Sequence, residues 1–176
     1  MAVTINASTT SGLVMTSDLS GVLTLQQNGV SLPNGGVAPA FSAYASASQS
    51  FTTATFTKIT LDTETFDTNN NFASSRFTPT VAGYYQVNGI ARIQTTSGTL
   101  IQVAIYKNGT NYTAGNLLNF AVGSNSNQIT VSDLVYCNGS TDYIELYGYS
   151  DGTSPSFNFN STANTSKFSA CLVRGA

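Results

Sequence analysis

Between residues 83 and 93 the chain alternates, with Tyr85, Val87, Ala91 and Ile93 on one side and Gln86, Asn88 and Arg92 on the other. A period of two marks a half-buried strand. Ile101, Val103 and Ile105 repeat the pattern up to Lys107-Asn108-Gly109. Asn-Gly between alternating segments predicts a hairpin, because both residues tolerate positive φ. Further strands are predicted at 40–45, 55–61, 129–136, 142–149 and 167–173. The segments 68–75, 123–128, 137–141 and 150–155 are rich in Asn, Gly, Ser and Thr and predict connectors. No window keeps a helical apolar period for three turns. Many short strands at this spacing predict an all-β sandwich or barrel.

The first 36 residues differ in texture. They are poor in aromatics and carry strand-like pieces at 12–16 and 21–26, with Leu13, Val14, Leu23 and Leu25 as their apolar positions. These are too few to build a core, and Pro33-Asn34-Gly35-Gly36 then reads as a hinge. The expectation is an arm over 1–36 that borrows a surface, followed by a globular domain over 37–176. No long repeat is present, which excludes a solenoid or propeller.

Composition narrows the function classes. Hydrophobic residues make up 41% of the 176 residues, but charged residues only 8%, against about 25% in average proteins. Neutral Ser, Thr, Asn and Gln must therefore carry solubility, which suits β-structure and suits surfaces packed against other chains. The net charge is −2, and the six basic residues are scattered along the sequence. Nothing in that spacing forms a phosphate-tracking patch, so nucleic acid is not expected as a partner. No apolar run approaches the length of about 20 residues that a bilayer helix needs, so no membrane insertion is expected. The start MAVTINASTT has neither the basic nor the apolar region of a secretory signal, which reads as synthesis for a cytoplasm. On that reading the sequons at Asn108, Asn111, Asn160 and Asn164 are polar loop and strand surface. Cys137 and Cys171 read as buried free thiols, with one disulfide between them the alternative that spacing leaves open.

Candidate chemistry is sparse. The sequence contains no histidine, which removes Ser-His and Cys-His nucleophile pairs and ordinary catalytic zinc sites. No Gly-rich phosphate loop opens a helix. The carboxylates Asp62, Glu64 and Asp67, and Asp142 with Glu145, offer pairs for glycoside hydrolysis only in the sense that any polar strand face does. Asp62, Glu64, Asp67 and the run Asn69-Asn70-Asn71 supply oxygens of the type calcium takes, without an EF-hand spacing. The expectation is no enzyme activity and no cofactor. Aromatic positions are more informative. In DYIELYGY (142–149), Ile144 and Leu146 share one face, while Tyr143, Glu145, Tyr147 and Tyr149 share the other. Three roles are open to that row: an ordinary sheet surface, a subunit interface, or a carbohydrate-stacking surface.

The run KITLDTETFDTNNNFASSRFTPTVAGYYQVNG resembles the signature of the C1q-like/tumour-necrosis-factor-like superfamily. Leu61, Asp67 and Phe72 keep its first spacings, and Phe77, Gly83 and Tyr85 match its aromatic followed by Gly-x-Tyr. VAIYKNGT, LVYCNGSTDYIELYGY and KFSACLV follow in the family's order, so the resemblance covers about 58–173. It implies an antiparallel two-sheet jelly-roll sandwich assembled as a homotrimer, with the closing strand near the threefold axis. On that analogy Phe168 and Leu172 are axis candidates, and the Tyr143/Tyr147/Tyr149 face is a second candidate interface. TSDLSGVLTLQQNG resembles N-terminal elements of bacteriophage structural proteins. The expectation is a virion surface protein made in the host bacterium: a trimeric capsid decoration (cement) protein. Its arm would dock on the major capsid protein or another virion protein through Leu13, Val14, Leu23 and Leu25. The alternative is a tail fibre or spike tip that holds host surface glycan.

Overall fold

In a computed structural model of the chain, residues 14–17, 23–27, 30–31, 38–121, 125–158 and 165–176 are described. They divide into two units, Met1–Ala38 and Pro39–Ala176. The first holds β1 (Val14–Ser17), β2 (Leu23–Gln27) and β3 (Val30–Ser31), paired antiparallel in that order. Met15 lies opposite Leu25, Ser17 opposite Leu23, and Val14 opposite Gln26. Leu13 falls outside the described residues.

The second unit is all-β and antiparallel. Its seven-stranded sheet contains β4 (Ala40–Tyr44), β5 (Gln49–Ser50), β7 (Thr63–Asp67), β10 (Gly83–Thr95), β13 (Asn125–Cys137), β15 (Ser156–Phe157) and β16 (Lys167–Gly175). Its six-stranded sheet contains β6 (Thr57–Lys58), β8 (Phe72–Ala73), β9 (Arg76–Phe77), β11 (Leu100–Lys107), β12 (Thr110–Asn119) and β14 (Ile144–Ser150). β10 is the spine of the first sheet. Along one edge it pairs with β13 over its whole length, and its other edge is shared by β16 and β15. In the second sheet β14 has β11 on one edge, while β6 and β9 share the other. That division matters below, because it places Lys58 and Arg76 on either side of Glu145.

Alternation sets the core. β10 sends Tyr85, Val87, Ala91 and Ile93 inward, where they meet Ile101, Val103, Ile105, Ile144 and Leu146 of the facing sheet. Gly89 lies on the same inward face, and a side chain there would run into Leu146 and Val131. At one end, Phe41 stacks on Phe72 and Phe77 with ring centroids 4.6 and 4.5 Å apart, and meets Phe168 edge-on at 5.2 Å. Phe77 meets Tyr85 edge-on at 5.5 Å. Tyr85 is wholly buried, and its hydroxyl donates to the carbonyl of Val81 at 2.7 Å. Burying an aromatic ring while its one polar atom keeps a partner is what makes tyrosine affordable in a core.

The turn after β11 follows its residues. Asn108 and Gly109 have φ of 53° and 77°, the two positive values that a two-residue primed hairpin requires. Three segments depart from the sequence reading. Residues 55–61 pair only at β6, although Ile59 and Leu61 are buried in the core. Residues 125–128, read as connector, continue β13 against Arg92–Thr95. β12, not predicted, forms an edge of the six-stranded sheet against β11. Cys171 is exposed whereas Cys137 is buried, and both thiols are free.

Candidate functional site

Two outward faces carry the aromatic and charged groups. On the six-stranded sheet the outer face of β14 is built around Glu145. Its side chain is only 3% exposed, and a buried charge of this kind persists only when paired. Arg76 Nε donates to its Oε1 at 2.9 Å and Lys58 Nζ donates to the same oxygen at 3.3 Å. Tyr147 donates its hydroxyl to Oε2 at 3.4 Å, and its ring stacks on Tyr106 at 3.8 Å. Burial pushes the Tyr147 hydroxyl above its ordinary pKa, and the negative Glu145 beside it acts in the same direction. Phe56 lies 5.9 Å from Tyr106 and 5.2 Å from Tyr149. The Arg76 guanidinium sits 3.8 Å over the ring of Tyr143. Tyr143, Tyr147 and Tyr149 are therefore half-buried parts of one ladder that roofs Glu145, with much of their ring surface engaged within the chain.

The seven-stranded sheet presents a different outer face. Tyr84 of β10 pairs across to Tyr136 of β13, with ring centroids 5.4 Å apart. Gln86 pairs with Leu134, and on its other side with Cys171. Tyr84 is 43%, Tyr136 39% and Leu134 48% exposed. Around them the polar residues satisfy one another: Gln86 Nε2 donates to Ser132 Oγ at 2.9 Å, which donates to Asn88 Oδ1 at 2.9 Å. Lys107 Nζ closes the end of this patch, 2.8 Å from the Tyr136 carbonyl and 3.0 Å from Asp142. At its margin Asp133 accepts from the Thr113 hydroxyl and from the Leu134 amide.

Other expected residues lie elsewhere. Phe168 is wholly enclosed in its own sandwich, opposite Gly89 and Ala43 in register. Its ring therefore packs within its own chain. Leu172 is half-buried and packs against the same core from the end of β16. The carboxylates serve structure. Asp62 accepts from the Ser46 amide and hydroxyl at 2.8 and 2.6 Å. Asp67 accepts from the amides of Asn69 and Phe72. Asp142 accepts from the Asn108 side chain and the Asn138 amide. Among the described residues no group of three or more Cys, Asp or Glu side chains is placed to hold a metal ion. No helix among them is long and apolar enough to cross a membrane.

The architecture has solved counterparts. The globular domain of zebrafish complement 1qA protein superposes with a TM-score of 0.56 at 14% identity, covering 78% of this chain and 99% of that one. The fold is the C1q and tumour-necrosis-factor jelly roll. Eiger TNF from S. frugiperda gives 0.53 at 9% identity over 80% of this chain and 94% of that one. Murine APRIL at pH 8.0 gives 0.53 at 8% identity, covering 78% of this chain and all of the other. No family model and no curated protein matches the sequence. At these identities the likeness is one of fold.

The alternation that sends Tyr85 inward turns Tyr84 outward, and sequence reasoning passed over Tyr136 and Leu134. The signal was available: from Ile129 the inward positions are Ile129, Val131 and Val135, so Leu134 and Tyr136 are apolar residues on outward positions. Lys58 and Arg76 left no such signal. Their meeting at Glu145 depends on β6 and β9 sharing one edge of β14.

Proposed function

We propose that this chain is a non-enzymatic structural protein of a bacteriophage particle, a homotrimeric capsid decoration protein attached through residues 1–36 to the major capsid protein or a neighbouring virion protein. The observation that carries the assembly is the outer face of the seven-stranded sheet. Tyr84, Tyr136 and Leu134 form an exposed aromatic and apolar patch, flanked by Arg174 opposite Tyr84 and by Lys107 at Tyr136, on strands that are paired across their full length. Aromatic anchors inside a polar, hydrogen-bonded rim are what a subunit contact uses. Charge-poor composition supports the same reading, because a protein with 8% charged residues has little repulsion to overcome when copies pack together. Trimerisation multiplies a weak attachment by effective concentration. That gives a role to an N-terminal unit with only a small sheet of its own.

Virion membership draws on the resemblance of TSDLSGVLTLQQNG to phage structural proteins. Deleting residues 1–36 tests it: the remainder is expected to stay a soluble trimer and to lose particle binding. Retained binding to the particle by the truncated chain refutes the attachment. The second reading, a fibre or spike tip, is favoured by the tyrosine-rich outer face of β14, and a specific saturable response to host glycan would support it.

A further inference from the structure

Lys58, Arg76, Asn70, Asn71, Thr78 and Thr80 line a cleft of about 470 Å³ beside β6 and β9, within the size range of small-ligand sites. Two of the chain's six basic residues meet there. Both touch the same oxygen of Glu145, so one carboxylate answers two cations and the group keeps one positive charge at the cleft wall. Asp67, at the start of the adjoining loop, does not cancel it. Its carboxylate is turned onto the loop's own amides, 2.7 Å from Phe72 N and 3.2 Å from Asn69 N.

Arg76 is held in place for such a task. Its Nε is fixed by Glu145 and one face of its guanidinium lies on Tyr143. Among the described residues nothing accepts a hydrogen bond from its two terminal nitrogens, and its side chain is 43% exposed. A planar fork with its orientation set and its terminal edge open is the group that takes carboxylate or sulfate oxygens in pairs. Lys58 spends one donor on Glu145 and one on the Ser74 carbonyl at 3.1 Å, leaving a third. The remaining lining is neutral and hydrogen-bonding. Asn70 and Thr78 have side chains that make no hydrogen bond among the described residues, and no large apolar side chain forms a wall. Hydroxyl-rich ligands match such a lining and apolar ones do not.

We propose that this cleft binds an acidic saccharide unit, a sugar ring bearing one carboxylate or sulfate. The anion sits on the terminal edge of Arg76 and on Lys58, and ring hydroxyls meet Asn70, Thr78 and Thr80. The site lies on the six-stranded sheet, so it does not depend on the assembly proposed for the other sheet and holds wherever on a virion the chain sits.

Titration of the full-length chain, followed by amide chemical shifts and calorimetry, tests this with three probes: a glucuronate-containing disaccharide, its uncharged glucose counterpart, and inorganic sulfate. The acidic disaccharide is expected to bind saturably and shift the amides of Asn70 and Thr78. The neutral disaccharide should bind at least about tenfold more weakly, the factor expected from losing one charge-assisted pair. Arg76→Lys keeps a cation beside Glu145 while removing the fork, and should weaken the acidic disaccharide by about tenfold in a protein whose amide spectrum shows it still folded. Asn70→Gly, compatible with the φ of 55° at that position, should weaken the disaccharide and leave sulfate binding alone. Equal affinity for the acidic and neutral disaccharides, or an Arg76→Lys protein that binds like the parent, overturns the proposal. Sulfate binding as tightly as the acidic disaccharide overturns the saccharide assignment, and no saturable binding of any probe overturns the site.

Discussion

Replacing Phe168 by alanine separates a core residue from an interface residue. The ring is wholly buried, edge-on to Phe41 at 5.2 Å, and Phe41 in turn stacks on Phe72 and Phe77. Opposite Phe168 in register stand Gly89 and Ala43, small residues with no side chain able to fill the space. A phenylalanine removed from such a site costs about 3–5 kcal/mol, its transfer free energy plus a cavity that cannot collapse. For a unit of this size that lowers the thermal midpoint by roughly 10–20 °C. The assay is urea unfolding followed by tyrosine fluorescence, paired with sedimentation of the folded protein below the transition. The unfolding free energy should fall by the full amount while the folded fraction sediments like the parent. A variant that loses less than about 1 kcal/mol but sediments as a smaller species would refute the burial argument, because only a residue at a subunit contact behaves that way.

Four further outcomes follow from the same packing. Gly89→Val forces a side chain against Leu146 and Val131, and should cost about 1–3 kcal/mol or more in chemical denaturation. Asp62, Asp142 and Asp151 are each held below the ordinary carboxyl value of 3.8, chiefly by hydrogen bonds from Ser46, Asn108 and Thr99 respectively. Folded-state values below the unfolded one mean their contribution is complete above that value and is lost as pH falls through the lower folded values. Stability measured from pH 7 downward should therefore stay level with respect to these groups until about pH 5 and then decline, and Asp151→Asn should shallow the decline. Cys137, buried and with its thiol pushed up to about 11 by that burial, should resist alkylation until the chain unfolds. Cys171 lies beside Gln86 near the Tyr84 patch, so its alkylation should accelerate on dilution as the assembly separates.

Much of the second unit was legible because burial and alternation coincide in it. The 83–93 stretch, the Asn108-Gly109 turn and the inward Tyr85 each follow from side-chain period or backbone tolerance. β12 was not legible because Thr110–Asn119 is an edge strand with mostly exposed residues, and its pairing comes from backbone contact with β11. Asn125–Gln128 was missed for the same reason. Phe168 was assigned by analogy to a closing strand, although its parity with Ala170 on β16 gives the inward face directly. The meeting of Lys58 and Arg76 at Glu145 was beyond sequence reading. The basic residues stand 18 apart, and only the shared edge of β14 brings them together.

The mass of the full chain in solution at micromolar concentration, by light scattering or sedimentation equilibrium, bears most directly on the account. Three chains of 18.4 kDa, about 55 kDa, are expected for the parent, and a single-chain mass for Leu134→Glu, whose carboxylate would have to be desolvated in the contact. A parent protein that remains one chain at these concentrations contradicts the assembly on which the proposed function stands.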